Sequence, residues 1–194
     1  ENDSNAAGWA EYKLGAGRAA NPFCYMNIGS GIGGALVVNG KLHNGQGRGA
    51  GEIGHLWVPD WTAKESGASD KLEHLCSGWS IERRIRAWEN IEAGTPLYEC
   101  CDGNAARQTC PMLAPAAEQG DARALAEITQ IAHTVGLALA NVITLFHPER
   151  IALGGGVSLM GDVLLDPIKA TVTQHVFGPF QDRYEIVPCA LSEQ

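Results

Sequence analysis

After the polar cluster Glu1-Asn2-Asp3-Ser4-Asn5, alanines and apolar side chains return at helical spacing, which predicts a helix through Leu14 with Gly15 or Gly17 as a left-handed C-cap. The pattern then changes to that of strands. Phe23 to Ile28 and Ala35 to Val38 are predicted strands, separated by the turn Gly29-Ser30-Gly31-Ile32-Gly33-Gly34 and closed by Asn39-Gly40, a strong hairpin signal. Leu56-Trp57-Val58 reads as a short strand ending at Pro59, and a polar segment from Lys64 to Lys71 leads to Leu72-Glu73. Ser77 is placed to cap a helix from Trp79 to about Glu89, with Ile81, Ile85 and Trp88 on one face and Glu82, Arg83 and Arg86 on the other. Gly94 to Pro115 shows no clean period and is expected to hold helix fragments and loop. From Gly120-Asp121 the positions Leu125, Ile128, Ala132, Val135, Leu139, Val142 and Phe146 follow a period of about 3.6 residues until Pro148 closes the run. That helix is apolar nearly all round and is expected to be central and buried. A strand at Arg150 to Leu153, the turn Gly154-Gly155-Gly156, a helix near Gly161 to Val176 and a strand at Tyr184 to Pro188 complete an α/β crossover.

Chemistry-bearing residues gather at the turns of this pattern. In Gly49-Ala50-Gly51-Glu52-Ile53-Gly54-His55 a carboxylate and an imidazole lie three residues apart among glycines, a poor core and a good cradle for a polyhydroxylated small molecule. Gly29-x-Gly31-x-x-Gly34 matches the dinucleotide fingerprint on paper, but that fingerprint needs a helix after the glycines and here a strand follows. Strand, glycine turn, strand instead aims backbone N–H groups at a phosphate as a nest; an ordinary glycine-rich hairpin is the alternative. Gly154 to Gly156 follow a strand in an α/β unit, where ligands sit at strand carboxyl ends, and form a second candidate for nucleotide contact. Asn2 and Asp3 fall at a helix start, where the helix dipole stabilises a carboxylate, although Asp3 or Ser4 would also serve as a plain cap.

Composition narrows the function classes. The 14 Lys and Arg against 22 Asp and Glu give a net charge of −8, which leaves no basic footprint for nucleic acid or an anionic membrane. The longest apolar stretch, Val135 to Phe146, falls short of the roughly 20 residues of a membrane helix, and no signal segment opens the chain, so the expectation is cytoplasmic. The 6 cysteines are too scattered for a secreted disulfide framework, so buried free thiols are expected, and without an export signal the Asn2-Asp3-Ser4 glycosylation match carries little.

Taken together and in order, Glu1-Asn2-Asp3-x-Asn5-Ala6-Ala7, Gly15-Ala16-Gly17-Arg18, Gly29-Ser30-Gly31-Ile32-Gly33-Gly34, Asn39-Gly40-Lys41-Leu42, Ala50-Gly51-Glu52-Ile53-Gly54-His55, Leu72-Glu73 and Leu153-Gly154-Gly155-Gly156-Val157-Ser158 resemble the ROK family of repressors and sugar kinases. The resemblance spans nearly the whole chain. It implies an α/β lobe of the actin-like ATPase (ribonuclease H-like) class, a mixed sheet flanked by helices. It further implies that Asp3 is the general base, that Asn2, Glu52, His55 and Glu73 bind a sugar, that Gly29, Ser30 and Gly31 face the ATP phosphates, and that Gly154, Gly155 and Gly156 face the adenosine. ATP with Mg2+ as cofactors, a hexose or N-acetylhexosamine as substrate, and a homodimer are the family expectations.

Two departures shape the reading. The family's zinc motif, aligned on Leu72-Glu73, places its three cysteines at Lys64, Ser66 and Lys71, so no zinc is expected. His55 is then left as a sugar contact or a structural histidine, the segment from Pro59 to Lys71 has to be held by packing, with Trp57 and Trp61 as candidates, and Cys76 is a weak substitute ligand. The Asp-x-Gly-x-Thr phosphate loop of the family's N-terminal lobe does not occur, and the end at Cys189 to Gln194 stops short of its closing helix. The chain therefore reads as the larger, C-terminal lobe, weak or inactive as a kinase by itself. The competing function is the sugar-sensing half of a ROK transcriptional repressor; a sugar-binding lobe without catalysis is the bland third.

Overall fold

A computed structural model describes residues 3–47 and 49–191, and its first helix, α1, is Asp3–Leu14. The expected C-cap is not made: neither Gly15 nor Gly17 has a positive φ, and the left-handed residue is Ala19, at 64°. The two glycines serve packing instead. A Cβ on Gly15 would run into the Glu11 carboxylate, and one on Gly17 would sit 2.7 Å from the Phe23 ring.

Strand β1 (Phe23–Ile28) pairs antiparallel with β2 (Ile32–Val38), which turns at Asn39 and Gly40, both with positive φ, into β3 (Lys41–Leu42). β2 starts three residues before the expected Ala35, because the pairing runs to Ile28 opposite Ile32 and takes Gly33 and Gly34 into the ladder. Next come the short strands β4 (Trp57–Pro59) and β5 (Ser69–Lys71), an antiparallel pair of their own, and helices α2 (Leu72–Cys76) and α3 (Gly78–Arg86). Ser77 caps α3 as expected, its hydroxyl accepting from the Ser80 N–H at 3.3 Å, but the helix ends at Arg86 rather than near Glu89. The segment without a clear period holds α4 (Pro96–Cys100) and the first part of α5 (Cys110–Glu118).

The long helix α6 is Ala122–Phe146, capped by Asp121, whose carboxylate accepts from the Arg123 and Ala124 N–H groups, and closed by His147 in the left-handed region. By length and composition alone it would cross a membrane, but its apolar side is the core of this fold. The expected full burial fails at its ends, where Leu125, Leu145 and Phe146 are exposed. Strand β6 (Arg150–Gly154), helix α7 (Asp162–His175) and strand β7 (Glu185–Pro188) form the crossover, with β6 parallel to both β1 and β7.

The sheet order is β3-β2-β1-β6-β7. Strand alternation decides what covers each face. Phe23, Tyr25, Ala35, Val37 and Ala152 form one cluster that Ala7, Trp9 and Tyr12 of α1 pack against, while Cys24, Met26, Ile28, Leu36, Ile151 and Leu153 join the larger core with α6 and α7. A Cβ on Gly8 would lie 2.5 Å from the Ala35 side chain, so that glycine lets α1 lie close on β2.

Candidate functional site

The parallel pair β1 and β6 ends with Asn27 opposite Gly154, so both expected glycine turns leave the sheet side by side at its carboxyl edge. Gly155, with φ at 83°, lies over the end of β1: a Cβ there would be 2.6 Å from the Ile28 carbonyl and would overlap the Asn27 amide oxygen. On the other side, Gly29 donates from its N–H to the Gly31 carbonyl at 2.9 Å, and the Gly78 N–H donates to the Gly29 carbonyl at 2.7 Å. That second bond draws the start of α3 onto the turn.

Three chain segments then converge on the first three residues of β2. A Cβ on Gly33 would overlap Ser4, so α1 starts at Asp3 directly beside the glycine turn. A Cβ on Gly54 would run into the Ile32 carbonyl, and one on Gly34 would lie 2.5 Å from the Gly51 carbonyl, so the Glu52–His55 segment lies against the same stretch. The Glu73 carboxylate accepts from the Ile32 N–H at 2.8 Å. A side chain at Gly31 would sit 2.7 Å from that carboxylate oxygen, which explains the glycine there. Asp3, Glu52 and His55 are exposed, and Glu73 is half-buried. Asn2 lies outside the described residues.

The structure thus brings Asp3, the Glu52–His55 segment, Glu73 and both glycine turns to one edge. It adds Asn27, at the head of the first glycine turn, to which the sequence assigns no role. Its amide oxygen is buried between the two turns and has no hydrogen-bond partner among the described residues. The signal was available: a lone amide in an apolar strand, two residues before the glycines. Beside the second turn a cavity of about 310 Å³ is lined by Gly154, Gly155, Gly156, Tyr25, Leu159 and Cys189. Ser158 fixes that turn by donating to the Gly155 carbonyl at 2.7 Å. This edge offers backbone N–H groups, a carboxylate at a helix start and an apolar recess, which suits phosphate, a hydroxyl nucleophile and a heterocycle respectively.

Zinc does not fit. Lys64 and Ser66 are exposed and neither they nor Lys71 is a zinc ligand, Cys76 is fully buried whereas His55 is exposed, and among the described residues no three His, Cys, Asp or Glu side chains converge as a metal cradle.

The ROK family model matches residues 1–194, and the chain belongs to that family. It is 33% identical over 181 residues to a glucokinase from Streptomyces coelicolor, with 92% of this chain and 57% of that enzyme covered. It is 31% identical over 194 residues to a glucokinase from Thermotoga maritima, with 100% of this chain and 61% of that enzyme covered. Among solved structures it superposes with a TM-score of 0.85 on a ROK family glucokinase from Streptomyces griseus in complex with glucose and AMPPNP, at 32% identity over 99% of this chain and 63% of that one. Its fold is that of the actin-like ATPase sugar kinases, and the chain spans little more than half the length of these relatives.

Proposed function

We propose that this chain is the larger lobe of an ATP-dependent hexose kinase acting in the cytoplasm, where ATP is supplied. The observation that carries the reading is the convergence of the start of α1 (through Ser4, next to Asp3), Glu73 and the Gly51–His55 segment on Ile32 to Gly34, beside the glycine turn. In this reading Glu52, His55, Glu73 and Asn2 hold the sugar by its hydroxyls, each carboxylate or amide engaging more than one. Asp3 accepts the proton of the attacking hydroxyl as its oxygen bonds to the γ-phosphorus and the bond to the leaving ADP oxygen breaks. The turn Gly29 to Gly31 faces the transferring phosphoryl group with its Ser30 and Gly31 N–H groups, the Gly29 N–H being taken up by the Gly31 carbonyl, and the recess at Gly154 to Gly156 takes the nucleoside. Mg2+ bound with ATP supplies charge neutralisation on the phosphates. The second turn leaves room for such a ligand, since a Cβ on Gly156 would meet nothing within 4 Å and the recess lies beside it.

The Asp3→Asn variant of the complete protein tests the assignment. Turnover should fall by about a hundredfold to ten-thousandfold, with sugar affinity within about threefold of wild type. Unchanged turnover would remove Asp3 as the base.

A further inference from the structure

The proposed sugar-binding carboxylate of Glu73 sits on α2, a helix of 5 residues that is too short to hold its own orientation. The zinc motif that the family carries after the histidine has Lys64, Ser66 and Lys71 at its three cysteine positions here, and none of these is a zinc ligand. What the structure supplies instead is protein contact from two sides. On the near side, the Leu72 N–H donates to the Leu56 carbonyl at 2.8 Å, and the β4–β5 ladder pairs Trp57 with Lys71, Val58 with Asp70 and Pro59 with Ser69. On the far side stands Arg84 of α3. Its Nη1 donates to the Leu75 carbonyl of α2 at 3.0 Å, and its Nε and Nη2 donate to Oε1 of Glu127 on α6 at 2.8 and 2.5 Å. The Trp61 ring, in the segment between β4 and β5, lies 5.1 Å from the guanidinium carbon.

We infer that Arg84 is a positioning residue that fixes α2, and through it the Glu73 carboxylate against the Ile32 N–H, without metal. One planar guanidinium reaches α2, α6 and Trp61 at once, which only a rigid fork of donors can do. Stability alone is a poor reason to keep the pair, because Glu127 is 8% exposed and a buried ion pair gains little over apolar packing. Orientation is the better reason. The inference extends the kinase reading of the site, but the contacts that carry it are independent of substrate.

The test uses the full-length protein and the double variant Arg84→Met/Glu127→Leu, which replaces the pair by apolar side chains of similar size, with Arg84→Lys as a second variant that keeps the charge and loses the fork. Amide hydrogen exchange is the first readout. The Ile32 and Leu72 amides should exchange at least about tenfold faster in both variants, while the Val37 amide in mid-sheet keeps its wild-type rate. With glucose as the probe, KM should rise about tenfold and kcat stay within about threefold. The melting temperature of the wild type should not respond to 1,10-phenanthroline. Wild-type exchange at Ile32 and Leu72 in the double variant would overturn the inference. So would uniformly faster exchange that includes Val37, or one zinc per chain whose removal lowers the melting temperature. A wild-type protein that phosphorylates none of a panel of hexoses and N-acetylhexosamines would count against the kinase reading alone, and the exchange rates would still decide the role of Arg84.

Discussion

Gly155 and its neighbour Gly156 show how differently two adjacent glycines are constrained. At Gly155 a φ of 83° and a Cβ that would lie 2.6 Å from the Ile28 carbonyl leave no room for alanine, whereas at Gly156 nothing lies within 4 Å of the added atom. Gly155→Ala should cost about 1–3 kcal/mol of stability, and Gly156→Ala should stay within about 0.5 kcal/mol, as thermal melting of the two variants would read. The sequence shows three identical letters there; only the approach of β1 separates them. The cysteines are a second case. Burial pushes the Cys24 and Cys110 thiols up to about 12 from an ordinary 9.0, and raises Cys76 as well. Their folded-state values are raised, so the stability they contribute is complete below the unfolded value near 9 and is lost as pH climbs towards 12. Stability to denaturant should therefore fall steadily above pH 9, with a shallower fall in Cys24→Ala. In the native protein at pH 8 an alkylating reagent should modify the exposed Cys100 before those three. The expectation of buried free thiols holds for Cys24, Cys76, Cys101 and Cys110, while Cys100 is exposed and Cys189 half-buried.

Elements were legible where their own residues carried the period. α6 announces itself through Asp121, its apolar repeat and Pro148; β1 through an apolar run; α3 through Ser77. β5 was not legible, because Ser69-Asp70-Lys71 has no apolar alternation and is a strand only through its pairing with β4. The start of β2 was hidden for another reason. Gly33 and Gly34 read as turn, yet they are glycine because Ser4 and the Gly51 carbonyl press on them from outside the strand. Trp57 was a candidate for holding the segment that lacks the zinc cysteines, and it is 65% exposed; Val58, at 3%, fills that place, with Trp61 packed against the core beside Arg84. The exposure of Trp57 is not readable from spacing, because the face that a strand residue takes is set by its register, here the pairing of Trp57 with Lys71. The same limit applies to the site. The motif residues were all readable, but their convergence on Ile32 to Gly34 depends on contacts between segments far apart in sequence, as does the burial of the Asn27 amide oxygen.

At the scale of the molecule, one sheet carries both glycine turns at its edge, with α1 on one face and α6 and α7 on the other. The chain covers 57% of the length of the Streptomyces coelicolor glucokinase that it resembles. Phosphoryl transfer by positioning needs groups on both sides of the bound nucleotide, so the complete protein is the right object for an activity test. That test is ATP-dependent phosphorylation of a panel of hexoses and N-acetylhexosamines by the full-length protein, read as sugar phosphate formed. The account predicts turnover of at least one sugar, lost in the Asp3→Asn variant. Sugar binding with no phosphate transferred to any of them would contradict it and favour a sugar-sensing regulator.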